Sequence, residues 1–299
     1  MLLQLLVAGA ALGTDTSGTA APGNPASHID STFVVPAWRL GLSGKLRVLV
    51  YSNDALEEEA PAQLPVFAQV ANGLNDVGLR TASGEPVTLV RLVALDERER
   101  GTWQGYKVGL WPSEKKQRSR RAPITTAPPD GFIVVTEANQ NTRISERFTL
   151  RDFLTHDQAA VWPKALVLEP RLLDKLELIA DELKAMGKPS TIRVMSGFRT
   201  PQYNAHGAGR RAGRARDSRH MYGDAADVYI DDNGDQRMDD LNGDGRVNSK
   251  DAHFLRDIAE RVERRYPELV GGVGTYRVTR SHGPFVHIDT RGTRARWGR

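Results

Sequence analysis

Two series of apolar residues in the second half of the chain recur at helical spacing. The first comprises Leu172, Leu176, Ile179, Leu183 and Met186. The second comprises Phe254, Leu255, Ile258, Val262 and Tyr266. Steps of three or four positions place each series on one face of a helix. Gly187 with Pro189 follows the first series and Pro267 follows the second, and both signals are typical of helix ends.

Short apolar runs predict β-strands in both halves. In the first half, Gly and Pro separate runs at 46–51, 87–93, 106–112 and 132–137. In the second half, the runs at 192–195, 226–230 and 285–290 are interspersed with the predicted helices. We therefore predict a small β-rich domain over 32–145 and an α+β domain over 146–299.

The first 31 residues differ from the rest. About a dozen apolar residues precede a stretch rich in Gly, Ser, Thr, Ala and Pro, which is typical of a signal peptide followed by a flexible linker. Because no basic residue precedes the apolar core, an apolar N-terminus without an export function is the alternative. We expect export to the periplasm or the cell envelope. No apolar run reaches the roughly 18 residues of a transmembrane helix.

Composition narrows the chemistry. The 299 residues include 41 Lys and Arg against 37 Asp and Glu, a formal net charge of +4. So small a charge does not indicate nucleic-acid binding, but it suits a polyanionic substrate such as a cell wall. The chain has no cysteine, which excludes disulfides and thiolate ligands, so any metal must be held by His, Asp or Glu. The oligomeric state is not encoded in these patterns.

Two histidine-containing segments carry candidate metal chemistry. SRHMYGDAAD contains His220 and Asp227, and FVHIDTRG contains His287. Two imidazoles and a carboxylate suit zinc, and three protein ligands leave a fourth position for a water molecule. Zinc lowers the pKa of that water to about 7. Each residue taken alone could instead be a hydrogen-bonded structural residue, and spacing does not decide between the two interpretations.

The segments SGFRTPQYN, SRHMYGDAAD and FVHIDTRG, in this order, resemble the zinc D-alanyl-D-alanine carboxypeptidases and endopeptidases of the bacterial cell wall. The resemblance covers about residues 148–299. The arrangement of the whole chain is similar to that of a proteobacterial branch of this family, which carries an extra N-terminal domain and an acidic insertion. It implies a hedgehog/DD-peptidase-like zinc domain, a small antiparallel sheet flanked by helices. It also implies that His220, Asp227 and His287 are the zinc ligands.

The same resemblance implies substrate-binding residues. Arg199, in SGFRTP, matches the family arginine that contacts substrate, and its planar guanidinium suits a peptide carboxylate. A structural salt bridge is the alternative role. Ser218, two residues before His220, also matches the motif. Its hydroxyl either orients backbone or substrate, or simply belongs to a turn.

The general base is less well defined. Many members of the wider family have a Glu three residues before the last ligand, where this chain has Pro284. Another branch has a histidine five residues before that ligand, and His282 fits this spacing. An imidazole there can accept a proton from water or stabilise an oxyanion. Asp289 shares a strand face with His287 and is a base or an orienting partner of that imidazole. We predict His282 as the catalytic residue and favour the orienting role for Asp289.

An acidic insertion at 231–251 lies between the second and third predicted ligands. Within it, DLNGDGRVNSKD fits the twelve-residue calcium loop of EF-hand type. The predicted calcium ligands are Asp240, Asn242, Asp244, the carbonyl of Arg246, Asn248 and Asp251. Aspartate in the last position is shorter than the usual glutamate, so we do not expect high affinity. We predict a structural Ca²⁺, with a surface loop rich in Asx turns as the alternative.

These features together predict a zinc-dependent peptidase that acts on peptidoglycan stem peptides. The predicted bond is D-Ala-D-Ala or a related bond to a D-amino acid, cut by a carboxypeptidase or an endopeptidase. The alternative is a cell-wall-binding module that keeps zinc for stability and lacks turnover. Pro284 in place of a glutamate favours that alternative, whereas Arg199 and His282 favour the enzyme.

Overall fold

The first half of the chain forms short strands in small sheets. The computed structural model describes residues 33–52, 71–115, 126–209 and 214–298, so the predicted signal segment lies outside the described residues. The strands described in this half are β1 (Phe33–Val34), β2 (Val48–Tyr51), β3 (Gly73–Asn75), β4 (Leu79–Arg80), β5 (Thr88–Arg91), β6 (Val93–Ala94), β7 (Thr102–Trp103), β8 (Tyr106–Lys107) and β9 (Gly131–Val135). β2 pairs in parallel with β5, which also pairs with β3. β1 pairs with β4, and β7 with β8.

The second half contains the longer elements. In chain order they are β10 (Lys164–Leu166), α1 (Pro170–Ala185), β11 (Ile192–Ser196), α2 (Pro201–His206), β12 (Ala225–Ile230), α3 (Ser249–Arg265), β13 (Gly272–Tyr276), β14 (Phe285–Asp289) and β15 (Ala295–Trp297). Five strands form one sheet in the order β11–β12–β14–β13–β15. Neighbouring strands are antiparallel except the β13–β15 pair. This mixed α/β content agrees with the predicted fold class.

One of the two long helices lies against the five-stranded sheet, and the other packs on that helix. α1 packs on α3, and α3 lies against β13 and β14. Most residues of both apolar series are buried or half-buried, which confirms the helical periodicity. Met186 is the exception, because it follows the last residue of α1 and is 39% exposed. α3 begins after Asn248, whose side chain accepts a hydrogen bond from the backbone of Lys250 (2.9 Å). No described helix is long and apolar enough to cross a membrane.

The hydrophobic core is continuous across the two halves. β9 pairs with β6 on one side and with β10 on the other, so this sheet uses strands from both sides of residue 145. Trp103 and Phe132 belong to the same buried cluster as Leu172 and Val286. The division into domains at residue 145 stays a prediction. In the structure, the β-rich half packs against the second half through this shared hydrophobic core.

Candidate metal centre

Three side chains from three elements converge at one edge of the β12–β14 pair. His220 lies in the 3-10 turn Arg219–Tyr222, Asp227 on β12, and His287 directly opposite Asp227 on β14. Asp227 Oδ1 lies 3.0 Å from His287 Nδ1 and 3.2 Å from His220 Nε2. All three residues are buried, with exposures of 2%, 6% and 6% for His220, Asp227 and His287. Within the described ranges, they are the only group of three or more His, Asp or Glu residues whose ligand atoms lie within 4.8 Å of one another.

The outer nitrogen of each imidazole has its own partner. His220 Nδ1 contacts the carbonyl of Gly197 (2.7 Å), and His287 Nε2 contacts Asp289 Oδ2 (3.1 Å). Both partners are acceptors, so these nitrogens carry the protons and the two inner nitrogens present lone pairs. Those inner nitrogens are 3.1 Å apart, beside a carboxylate oxygen. Two facing lone pairs and an anion are a donor set that a divalent cation satisfies.

The pKa directions describe the charges of this cluster. Burial lowers the pKa of His220, which favours the neutral imidazole that a metal requires. Burial opposes ionisation of Asp227, yet the interactions with His220 and His287 hold the pKa of this carboxyl well below its usual range. Burial also opposes protonation of His287, but its hydrogen bonds to Asp227 and Asp289 raise its pKa. A proton on His287 therefore competes with a metal as the pH falls.

Asp289 lies behind His287 and is fully buried. Its carboxylate accepts hydrogen bonds from His287 Nε2, from Arg291 Nε (2.9 Å) and from the backbone of Gly272 (2.7 Å). Although burial alone would raise it, the hydrogen bonds from His287 and Arg291 hold the pKa of Asp289 well below its usual range. A carboxylate so occupied is a poor proton acceptor. The contacts favour the orienting role over the alternative of a general base.

Arg199 is bound to the cluster itself. Its guanidinium donates to Asp227 Oδ2 and, through Nε, to Ser196 Oγ (2.8 Å). The salt bridge considered as its alternative role is therefore present, and Arg199 also lines the cavity in front of the cluster. Ser218 is buried at the start of the turn that carries His220, and it lines the same cavity. Contact of Arg199 or Ser218 with a substrate stays a prediction.

His282 lies in the loop between β13 and β14 and is half-buried. Its Nδ1 is 2.8 Å from the carbonyl of Gly283, and its ring meets the Phe285 ring edge-on at 5.0 Å. With Nδ1 donating to that carbonyl, Nε2 is the nitrogen left for proton transfer. His282 lines the same cavity as the three clustered residues. The structure thus brings His282 to the site, and its catalytic role stays a prediction.

An open cavity of about 800 Å³ lies in front of the cluster. It is lined by all the residues predicted to hold zinc, bind substrate or act in catalysis, with the exception of Asp289. Sequence analysis missed Tyr276, Phe285 and Trp297, whose aromatic rings also line it. It missed Trp111 as well, a buried residue of the β-rich half. The Trp111 indole donates to the carbonyl of Met221 (2.8 Å) and so fixes the turn that carries His220.

The predicted calcium ligands lie together in one loop, where backbone groups occupy several of their oxygens. Asp240 accepts hydrogen bonds from the amides of Gly243 (2.8 Å) and Gly245 (2.6 Å). Asp251 is fully buried and accepts from the amide of Asn248 (2.8 Å), which closes the start of α3. Among the described residues, the acidic side chains of this loop do not form a group of three whose ligand atoms lie within 4.8 Å of one another. Calcium has no support here and stays a prediction.

The cluster is a candidate metal centre, a buried His–Asp–His set at the wall of an open cavity. A family described as peptidoglycan L,D-endopeptidase MepK matches residues 149–297. The chain belongs, through this half, to the zinc-dependent metallopeptidases of the bacterial cell wall. No curated protein and no solved structure matches the chain. The branch with an N-terminal domain and a calcium loop stays a prediction.

Proposed function

We propose that this chain is a zinc-dependent endopeptidase that hydrolyses L,D peptide bonds within peptidoglycan cross-links. The observation that carries the proposal is the convergence of His220, Asp227 and His287 at the wall of an open cavity. The description of the matching family supports the bond type and the internal cut. The proposal therefore replaces D-Ala-D-Ala with an L,D bond, and the carboxypeptidase alternative with an endopeptidase.

His220, Asp227 and His287 would hold the zinc ion, which supplies a Lewis acid for the amide carbonyl and a water of lowered pKa. Asp289 fixes the tautomer of His287, because it accepts the proton on Nε2. His282 accepts a proton from the attacking water at Nε2 and returns it to the leaving amine. Arg199, beside Asp227, adds positive charge where the carbonyl oxygen becomes negative.

The cavity suits an anionic peptide. Arg199, Arg214, Arg219 and Arg291 all line it. Of these, Arg199, Arg219 and Arg291 each pair with a carboxylate. For Arg214, which donates to the carbonyl of Tyr203 (3.0 Å), no carboxylate partner lies within the described ranges. These four arginines line the cavity against two aspartates, Asp217 and Asp227, so positive charge prevails among the lining residues and attracts carboxylate-bearing stem peptides by long-range steering. We also propose that the protein works in the cell envelope, where this polymer is located.

Digestion of purified peptidoglycan tests the proposal. Product masses would be compared for the untreated protein, a chelated sample and a chelated sample restored with zinc. We expect cross-linked dimers to be converted to monomers, with no release of free D-alanine, and we expect chelation to stop this until zinc is returned. Release of D-alanine alone would favour a carboxypeptidase. One bound zinc per chain with no product would favour the wall-binding module.

A further inference from the structure

One wall of the cavity is a row of stacked aromatic side chains, here called the aromatic wall: Tyr276, Phe285 and Trp297. The rings of Tyr276 and Phe285 stack in parallel, with centroids 4.4 Å apart and an interplanar angle of 5°. The Trp297 ring lies 5.1 Å from the ring of His287. At the other end of the aromatic wall, the His282 ring packs edge-on against the Phe285 ring, with centroids 5.0 Å apart. The aromatic wall therefore connects the predicted base with the metal cluster.

The hydroxyl of Tyr276 is held in place by Trp297, another residue of the aromatic wall. Trp297 Nε1 donates a hydrogen bond to Tyr276 Oη (3.0 Å). An indole N–H can only donate, so the phenol oxygen is the acceptor and its own proton is left for another partner. Within the described ranges, no protein acceptor receives that proton. Because Tyr276 is 38% exposed and lines the cavity, the proton is available to a bound substrate.

The position of Trp297 depends on a glycine in the neighbouring strand. Gly274 on β13 is the register partner of His287 on β14 and of Trp297 on β15. A Cβ atom at Gly274 would lie 2.1 Å from the Trp297 ring, so only glycine leaves room for the indole. The Trp297 indole thus fills the space that a side chain at position 274 would otherwise occupy beside His287. Burial raises the pKa of Tyr276, which keeps its hydroxyl protonated at neutral pH.

We propose that Tyr276 is a further catalytic residue, whose hydroxyl donates a hydrogen bond to the carbonyl oxygen of the scissile amide as that oxygen becomes negative. The inference rests on the endopeptidase function proposed above. The proton stays on Tyr276 Oη throughout, and no bond to the tyrosine forms or breaks. Trp297 is a positioning residue, because its donor orients the phenol toward the cavity. Removal of a single donor to a developing oxyanion slows turnover by about 10²–10³-fold.

Tyr276→Phe removes the hydroxyl and retains the ring that stacks on Phe285. With a purified cross-linked muropeptide, we expect kcat to fall by about 10²-fold while KM and zinc content stay unchanged. Trp297→Phe, which removes the donor to the phenol, should give a smaller loss of kcat. Tyr229→Phe is the matched control, because Tyr229 lies on β12 of the same sheet but lines a different cavity. It should behave as the parent protein.

Binding of a phosphinate analogue of the cross-linking dipeptide provides a readout without turnover. Its tetrahedral anion mimics the transition state, so calorimetry should show about 10²-fold weaker binding to Tyr276→Phe than to the parent protein. Equal phosphinate affinities, or an unchanged kcat in zinc-loaded Tyr276→Phe, would overturn the role of Tyr276 while leaving the peptidase intact. A parent protein that neither turns over the muropeptide nor binds the phosphinate would overturn both proposals.

Discussion

The His–Asp–His cluster and the acidic loop at 231–251 carry the same prediction, a bound metal ion, but they are built differently. In the cluster, the ligand atoms come from a turn and two strands, and His220 and His287 are 67 positions apart. In the loop, the predicted ligands follow one another within twelve residues. The cluster is buried, whereas most of the loop is at least partly exposed. Convergence of distant, buried donors is stronger evidence for a metal than local spacing.

The surroundings of the donors explain why. Burying two imidazoles and a carboxylate together costs free energy unless a cation or a hydrogen bond compensates each of them. The outer nitrogens of the cluster are compensated by Gly197 and Asp289, which leaves the inner atoms for a cation. In the loop, backbone amides already compensate the carboxylates of Asp240 and Asp251. The loop geometry is thus satisfied without a metal, and the cluster geometry is not.

Removal of one predicted ligand from each region tests this contrast, and here we expect the largest effect. His220→Ala should reduce hydrolysis to the level of the chelated protein and abolish stoichiometric zinc, because two ligands hold zinc poorly. Asp244→Ala in the loop should leave both values unchanged. Zinc content by mass spectrometry and turnover of cross-linked peptidoglycan are the measurements. His253→Ala on α3 controls for loss of a histidine. Retention of zinc by His220→Ala would show that the cluster is not the zinc site.

Asp289 should matter next, because its contact with His287 would let it act on a zinc ion that His287 holds. Asp289→Asn should weaken zinc binding by about 10–100-fold, since a partner behind a ligand histidine typically contributes that much. Competition with a fluorescent chelator measures the affinity, and Asp257→Asn, an exposed carboxylate on α3, is the control. If Asp289 were the general base instead, the substitution would abolish kcat with zinc affinity unchanged. That outcome would move the role of general base from His282 to Asp289.

Much of the second half could be predicted from the sequence because its signals are local. The apolar series of α1 and α3 and the runs of β11, β12 and β14 each belong to one element, extending at most one residue beyond its end. β13 was missed because two of its first three residues, Gly272 and Gly274, are glycine, and glycine weakens a strand signal. Gly274 makes sense only once Trp297 is seen beside it. Such contacts join residues far apart in sequence, so no single segment reveals them.

The same limit applies to the candidate site. Spacing left His220, Asp227 and His287 undecided between ligands and structural residues, and only the resemblance assigned them roles. Nothing near Trp111 or Tyr276 in the sequence indicates a link to the metal centre. Trp111 reaches it through one hydrogen bond to Met221, at a separation of 110 residues. Tyr276 reaches it through Trp297. The polar ligands of a site are therefore easier to predict than the residues that position them.

The acidic loop should contribute to the stability of the folded protein through Asp251, which caps the start of α3. Asp251→Ala removes an acceptor for the amides of Leu241 (2.9 Å) and Asn248 (2.8 Å). We expect the free energy of unfolding to fall by about 1–2 kcal/mol, in the range of a lost helix cap, with zinc content unchanged. Denaturant unfolding of the zinc-loaded protein measures the change. Asp257→Ala on the exposed face of α3 should change it by less than about 0.5 kcal/mol. A loss of zinc from Asp251→Ala would contradict the separation of the two regions.

The smallest effect is expected from calcium itself. A weak site occupied at about five times its Kd stabilises the folded protein by about 1 kcal/mol, because binding to the folded state alone contributes RT ln(1 + [L]/Kd). If the predicted ligands bind calcium at such a weak site, thermal unfolding of the zinc-loaded protein in millimolar CaCl₂ shows a rise in Tm of a few degrees, which Asp244→Asn removes and MgCl₂ does not reproduce. Asp244→Asn is informative because it changes one predicted ligand and retains the cap of Asp251. Equal Tm values with and without calcium would leave the loop held by its backbone hydrogen bonds alone. The loop would then differ from the cluster in kind, since only the cluster would need an ion to complete its structure.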